Sequence, residues 1–316
     1  MARITSTPVA APDTSGAEVS GRPILLKLFL SLRPGQWTKN LLVFAGLLFG
    51  MRLFDAGAVA RAVVAFGIFC ALSGVVYLLN DVIDRDRDRR HPLKSRRPIA
   101  SGELPVNTAL AAAALLGTAA IAGAFVLSGR FALVAGAYVG LLVLYSTALK
   151  SIVIIDVLTI AVGFVLRAVA GAVAVEVVIG PWLLICTILL ALFIALAKRR
   201  HELVSLADEA TGHRESLGEY TPGLLDQMIA VVTASTLISY AIYTVSPETE
   251  LKFGTQWLGL TIPFPLYGIF RYLYLVHRRD GGGSPADLLL TDRPLLACVA
   301  LWALAVALII YRPLGI

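Results

Sequence analysis

Residues 80–98 read NDVIDRDRDRRHPLKSRRP and follow directly on an apolar run ending at Leu79. If the run continues as a helix at 100° per residue, Asn80, Asp81, Asp84 and Asp88 fall within about a 100° arc and Asp86 points elsewhere. Four oxygen-bearing side chains on one face suit a hard divalent cation. Magnesium takes a few carboxylates and completes its shell with substrate phosphates. Lys94, Arg96 and Arg97 follow at once as donors for phosphate oxygens. A loop that only marked membrane orientation would need the basic residues but not the acidic face.

Further polar residues recur where the chain meets its apolar runs. RPGQWTKN supplies Arg33, Gln36, Lys39 and Asn40, with Trp37 reading as an interfacial anchor. YSTALK runs from Tyr145 to Lys150, and the next apolar run contains Asp156 and Arg167. Those two lie on one helical face about 16 Å apart, too far to pair with each other. An ionisable side chain inside an apolar helix faces a cavity by default, and a partner on another helix is the alternative. Lys198 opens KRRHEL, and a later connection, HRRDGGGSPADLLLTDRP, carries Asp287 and Asp292. Spacing assigns no chemistry to that last pair.

The elements that must position these residues belong to a membrane protein. The chain has 316 residues, 58% hydrophobic and only 15% charged, with a mean hydropathy of +0.80. That excludes a soluble domain. Apolar runs at 40–56, 58–79, 106–127, 131–148, 153–175, 182–197, 226–246, 256–275 and 294–312 predict nine spans. The first is short and interrupted by Arg52. Residues 1–22 are rich in Pro, Ala, Ser and Thr without an apolar core, and read as a disordered tail rather than a secretory signal. Residues 24–32 predict a short amphipathic helix along the membrane surface. The expected fold is therefore an all-α integral membrane protein: one domain over 23–316, a bundle of about nine transmembrane helices with a polar cavity on the cytoplasmic side.

Most of the 27 Lys and Arg residues fall on the side of the membrane shared with the N-terminus. This places the N-terminus in the cytoplasm, the C-terminus outside, and the Asp-rich site facing the cytoplasm. The isoelectric point near 9.3 then reports orientation and anionic ligands, not nucleic acid. Cys70, Cys186 and Cys298 lie in apolar spans as small buried hydrophobes, without metal-ligand spacing or a disulfide framework. His91 and His201 sit in basic loops, where solvation or a local hydrogen bond competes with a catalytic role.

YLLNDVIDRDRDRRHPLKSRRPIASG resembles the first Asp-rich motif of the UbiA-type polyprenyl transferase superfamily. RPGQWTKN, KRRHEL, the SPADLLLTDR stretch and the pattern Leu149, Lys150, Asp156, Gly163, Phe164, Arg167, Gly171 narrow the resemblance to its decaprenyl-phosphate phosphoribosyltransferase branch, over roughly residues 24–312. The resemblance implies a cytoplasm-facing magnesium–diphosphate site and a lateral route for lipid. It implies transfer of 5-phosphoribose from phosphoribosyl diphosphate (PRPP) to a polyprenyl (decaprenyl) phosphate in the bilayer, with diphosphate released. On this reading Asn80, Asp84 and Asp88 hold Mg2+, and Asp84, Asp88 and Asp156 are catalytic. Lys39, Tyr77, Asp81, Lys94, Arg97, Tyr145, Lys150, Arg167 and Lys198 bind substrate. Both the ribose and the lipid phosphate remain open to Asp156 and Arg167.

Two other functions compete. A prenyltransferase of the same fold would move a prenyl chain from its diphosphate to an aromatic or other acceptor, but usually carries a second DxxxD motif where this chain has Lys150 and a lone Asp156. A transporter would place acidic or interrupted half-helices near the bilayer midplane, whereas the polar residues here gather mainly at one end.

Overall fold

The computed structural model describes residues 23–91, 94–205, 215–278 and 285–311, with no strand among them. The expected tail at 1–22 and the glycines at 281–283 lie outside the described residues. Helix α1 (Ile24–Ser31) is followed by a 3-10 stretch, Pro34–Phe44, that runs into α2 (Ala45–Phe49). Then come α3 (Ala56–Ile83), the short α4 (Arg85–Arg89) and α5 (Pro98–Ser101), α6 (Val106–Leu127), α7 (Gly129–Thr147) and α8 (Ile155–Ala174). The remainder comprises α9 (Pro181–Ser205), α10 (Pro222–Val245), α11 (Pro247–Phe253), α12 (Pro263–Arg278), α13 (Pro285–Thr291) and α14 (Arg293–Tyr311).

Seven of these helices are long and apolar enough to cross a membrane: α3, α6, α7, α8, α9, α10 and α14. The expected count of nine is not reached by such helices among the described residues. The first expected span is the 3-10 stretch with α2, and the eighth divides into a 3-10 turn, Trp257–Thr261, and the 16-residue α12. Prolines open the 3-10 stretch and α12, where a missing N–H and a fixed φ are tolerated only in a first turn. Helix α3, in contrast, outruns its apolar stretch and carries Asn80 and Asp81 on its last turn.

The bundle packs small residues inward and large ones outward. On α6, Ala109, Ala113, Ala120 and Ala124 are buried while Leu115, Phe125 and Val126 are exposed. Lipid tails are as apolar as leucine, so helices in a bilayer associate through close backbone approach at small residues. Helix α1 instead sorts by polarity, burying Lys27 and Ser31 and exposing Leu25, Phe29 and Leu30. Lys27 pairs with Glu103 at 3.4 Å.

Helix α8 is central. Its Ala170 and Ala174 belong to a core with Phe69, Phe131 and Tyr138 from α3 and α7. Its Val157 belongs to a second core with Phe193, Leu225 and Tyr272 from α9, α10 and α12. The 3-10 stretch lies so close to α8 that a Cβ on Gly171 would sit 1.9 Å from the Val43 carbonyl oxygen.

Candidate functional site

The Asp-rich segment is helical almost throughout. Although α3 formally ends before Asp84, the four-residue ladder continues: Asp84 N–H donates to the Asn80 carbonyl and Asp88 N–H to the Asp84 carbonyl, both at 2.8 Å. The acidic arc therefore exists, but it divides into two flanks. Asp81 and Asp88 point inward, each only 3% exposed. Arg97 donates to both, at 3.0 Å and 2.6 Å, and Arg33 reaches Asp81 at 2.5 Å. The Arg33 guanidinium also covers the Tyr77 ring at 4.6 Å. Asn80 and Asp84 form the other flank, half-buried and with no side-chain hydrogen bond to another described residue. Asp86 turns out to solvent, its side chain 89% exposed.

Asp81 and Asp88 are each engaged by arginine, so Asp88 meets a guanidinium where a metal was expected. Asn80 and Asp84, one turn apart, are the half-buried oxygen donors that no arginine engages. An amide and a carboxylate fit magnesium, which relies on phosphate oxygens for much of its shell. Among the described residues no group of three or more His, Cys, Asp or Glu forms a closed metal cage. Lys94 lies near Asp84 and Asp88; burial, and then the Arg97 charge, push its ammonium below the usual lysine value.

Of the two alternatives for Asp156 and Arg167, a cavity or a partner on another element, the structure supplies partners for both. Asp156 is fully buried at the start of α8. It accepts from the Tyr220 hydroxyl at 2.9 Å and faces Arg199 Nε at 3.4 Å. Arg199 pairs in turn with Glu202, which also takes Lys198 at 3.7 Å. Arg167 is 6% exposed and donates to Asn40 Oδ1 at 2.8 Å, the Gly163 carbonyl at 2.9 Å and the Tyr138 hydroxyl at 2.6 Å. Tyr138 continues to Ser73 at 3.0 Å, and the Asn40 amide donates to Cys70 Sγ at 3.3 Å. A buried charge needs hydrogen-bond partners, and here other helices supply them. Asn40 thus serves this network rather than a phosphate.

Lys150 lies in a 3-10 turn between α7 and α8. Its side chain is half-buried and has no carboxylate partner among the described residues. Lys39 and Tyr145 are also half-buried, on the 3-10 stretch and the end of α7. The residues that sequence reasoning missed are the partners: Tyr138, Ser73, Arg199 and Tyr220. A tyrosine midway along the apolar α7 was the available signal for Tyr138; nothing in spacing linked Tyr220 to Asp156.

A cavity of about 120 Å³, lined by Phe49, Val177, Trp182, Tyr243 and Lys252 among others, contains none of these residues. It lies at the opposite end of α8 from Asp156.

The UbiA prenyltransferase family model matches residues 40–289. A decaprenyl-phosphate phosphoribosyltransferase of Corynebacterium glutamicum is 33% identical over 288 residues, covering 89% of this chain and 86% of the relative. Its namesake in Mycolicibacterium smegmatis is 32% identical, covering 90% and 92%. Among solved structures, a UbiA homolog from Archaeoglobus fulgidus bound to GPP and Mg2+ superposes with a TM-score of 0.69 at 20% identity, covering 90% of this chain and 99% of that one.

Proposed function

We propose that this chain, which belongs to the UbiA prenyltransferase family, transfers 5-phosphoribose from PRPP to a polyprenyl phosphate. It is an integral membrane transferase, and its relatives named as decaprenyl-phosphate phosphoribosyltransferases support the donor and acceptor proposed here. The observation that carries the reading is the state of the second polar region. Where a prenyl diphosphate site would want a second exposed acidic pair, the chain offers a fully buried Asp156 and the half-buried cation Lys150. Asp156 is sequestered by Tyr220 and Arg199, which leaves the Asp84 flank as the metal-facing one. Additional cations suit a donor that carries a 5-phosphate besides its diphosphate.

In the reaction an oxygen of the lipid phosphate bonds to C1 of the ribose as the C1–O bond to diphosphate breaks, and the electron pair leaves with the diphosphate. Asn80 and Asp84 would hold Mg2+, with Asp88 close by under Arg97; the ion supplies positive charge for the leaving group. Lys94 and Arg97 extend from the same cluster to donate to phosphate oxygens, which stabilises charge as it develops. Lys39 and Lys150 are the candidates for the 5-phosphate and the acceptor phosphate. The acceptor is already an anion, so no strong general base is required. Asp81 orients Arg33 and Arg97, and Arg167 fixes the helices behind the site.

The test uses purified full-length protein in lipid nanodiscs with Mg2+. Labelled ribose phosphate should enter the lipid-extractable fraction when polyprenyl phosphate is added, with diphosphate released in equal amount. PRPP should also raise the melting temperature in a Mg2+-dependent way, because a ligand bound to the native state stabilises it by mass action. Transfer of a prenyl chain from prenyl diphosphate, with no ribose entering lipid, would establish the prenyltransferase reading instead.

A further inference from the structure

The turn that delivers Lys150 is strained and held from outside. Ile154 has φ +69° and ψ −45°, a region that β-branched residues avoid. The Ile155 N–H closes back on the Val153 carbonyl at 2.8 Å, making a three-residue γ-turn of the rare positive-φ kind. Such a conformation persists only where its surroundings over-determine it. Two side chains from the segment before α10 do so. The Tyr220 hydroxyl accepts the Ile154 N–H at 2.7 Å and donates to Asp156 Oδ1 at 2.9 Å, bridging the turn to the first residues of α8. Ser216 Oγ donates to the Lys150 carbonyl at 2.9 Å. Tyr220 itself is 3% exposed and packs in the core of Val157, Leu225 and Ile229. Burial, with the Asp156 charge adding to it, pushes the phenol up to about 12, so the hydroxyl keeps its proton at neutral pH.

We infer that residues 216–220 are a latch for the Lys150 turn and that Tyr220 is a positioning residue for the donor phosphate. The inference rests on Lys150 contacting the phosphates of PRPP. Tyr220 touches no substrate; it fixes the turn whose other end carries the cation. The buried Asp156 acquires its purpose here: with Arg199 it anchors the hydroxyl that anchors the turn.

Tyr220→Phe keeps the ring and removes both hydrogen bonds, which leaves the Ile154 N–H without its acceptor and the buried Asp156 carboxylate without its hydroxyl donor. The full-length enzyme in nanodiscs should then show a PRPP KM raised about tenfold, the scale expected for loss of a buried hydrogen bond, with the polyprenyl phosphate KM unchanged. Ser216→Ala should raise the PRPP KM about threefold in the same selective way. Hydrogen exchange, read without any donor, should accelerate over 149–156 in both variants and not in α3. A PRPP KM within twofold of wild type, or a rise in both KM values together, overturns the positioning role. If Tyr220→Phe does not fold, Ser216→Ala decides by the same criteria. Unchanged exchange over 149–156 overturns the latch whichever donor the enzyme uses. If Lys150→Ala leaves the PRPP KM unchanged while exchange still accelerates in the latch variants, the donor contact fails and the latch stands.

Discussion

At the scale of single residues, the Asp-rich segment separates carboxylates by task. Asp81 and Asp88 are buried and face arginine, so their charges are spent on holding Arg33 and Arg97 in place. Asp84 has no arginine partner and lies half-buried one turn from Asn80. Asp84→Asn should therefore lower turnover about a hundredfold or more, as for loss of a charge-stabilising group in a transferase site, while the melting temperature stays near that of wild type. Asp86→Asn removes an exposed carboxylate and should leave turnover within about twofold, since surface substitutions of this kind are close to neutral. Activity at limiting Mg2+ and a thermal melt on both variants make the comparison. Equal losses at positions 84 and 86 would rule out the separation.

Among the elements, the long helices were legible in the sequence and the irregular ones were not. Apolar runs marked α3, α6, α7, α8, α10 and α14 to within about four residues at either end, and the start of α9, whose end continues past its apolar run through KRRHELVS, because burial in lipid demands an uninterrupted run. The same criterion did not foresee the irregular geometry at 40–56 and 256–275, where the 3-10 segments Pro34–Phe44 and Trp257–Thr261 precede the short α2 and the 16-residue α12. The acidic arc was legible because helical phase is local. Its division into two flanks was not, since it depends on Arg33 arriving from before α2 and on the segment folding back to bring Arg97 against Asp81 and Asp88, and neither were the partners of Asp156 and Arg167. Glycines give a further contrast at this scale. A Cβ on Gly171 would collide with the backbone of Val43, whereas one on Gly117 would meet only the Val75 side chain, at 3.7 Å. Gly171→Ala should force α8 away from the 3-10 stretch, costing roughly 1–3 kcal/mol or more, and lower the yield of folded protein. Gly117→Ala should be neutral or stabilise α6 by up to about 1 kcal/mol, because alanine gives up less backbone entropy in a helix. Thermal melts monitored by size-exclusion chromatography will distinguish the two.

Across the whole molecule, ionic side chains tie one end of the bundle together. Arg200 of α9 and His277 of α12 share Asp226 of α10, at 2.5 Å and 3.4 Å, and Arg271 of α12 holds Asp292 before α14 at 2.8 Å. Asp156 and Arg199 add the start of α8 and the end of α9 at the same end. The opposite end, around α11 and the α8–α9 connection, carries far fewer basic residues. Positive residues are retained on the cytoplasmic side during insertion, so the ion-paired end should face the cytoplasm. A protein in which Cys70, Cys186 and Cys298 are replaced allows a direct reading. Asp86→Cys places a thiol on an exposed position of the Asp-rich segment, and Leu251→Cys places one on α11, where Leu251 is 85% exposed. An impermeant maleimide added to intact cells should label position 251 and spare position 86; inverted vesicles should give the reverse. Labelling of both positions from one face would mean that the two ends do not lie across the membrane from each other. Labelling of position 86 alone in intact cells would turn the site outward, away from any water-soluble donor made in the cytoplasm.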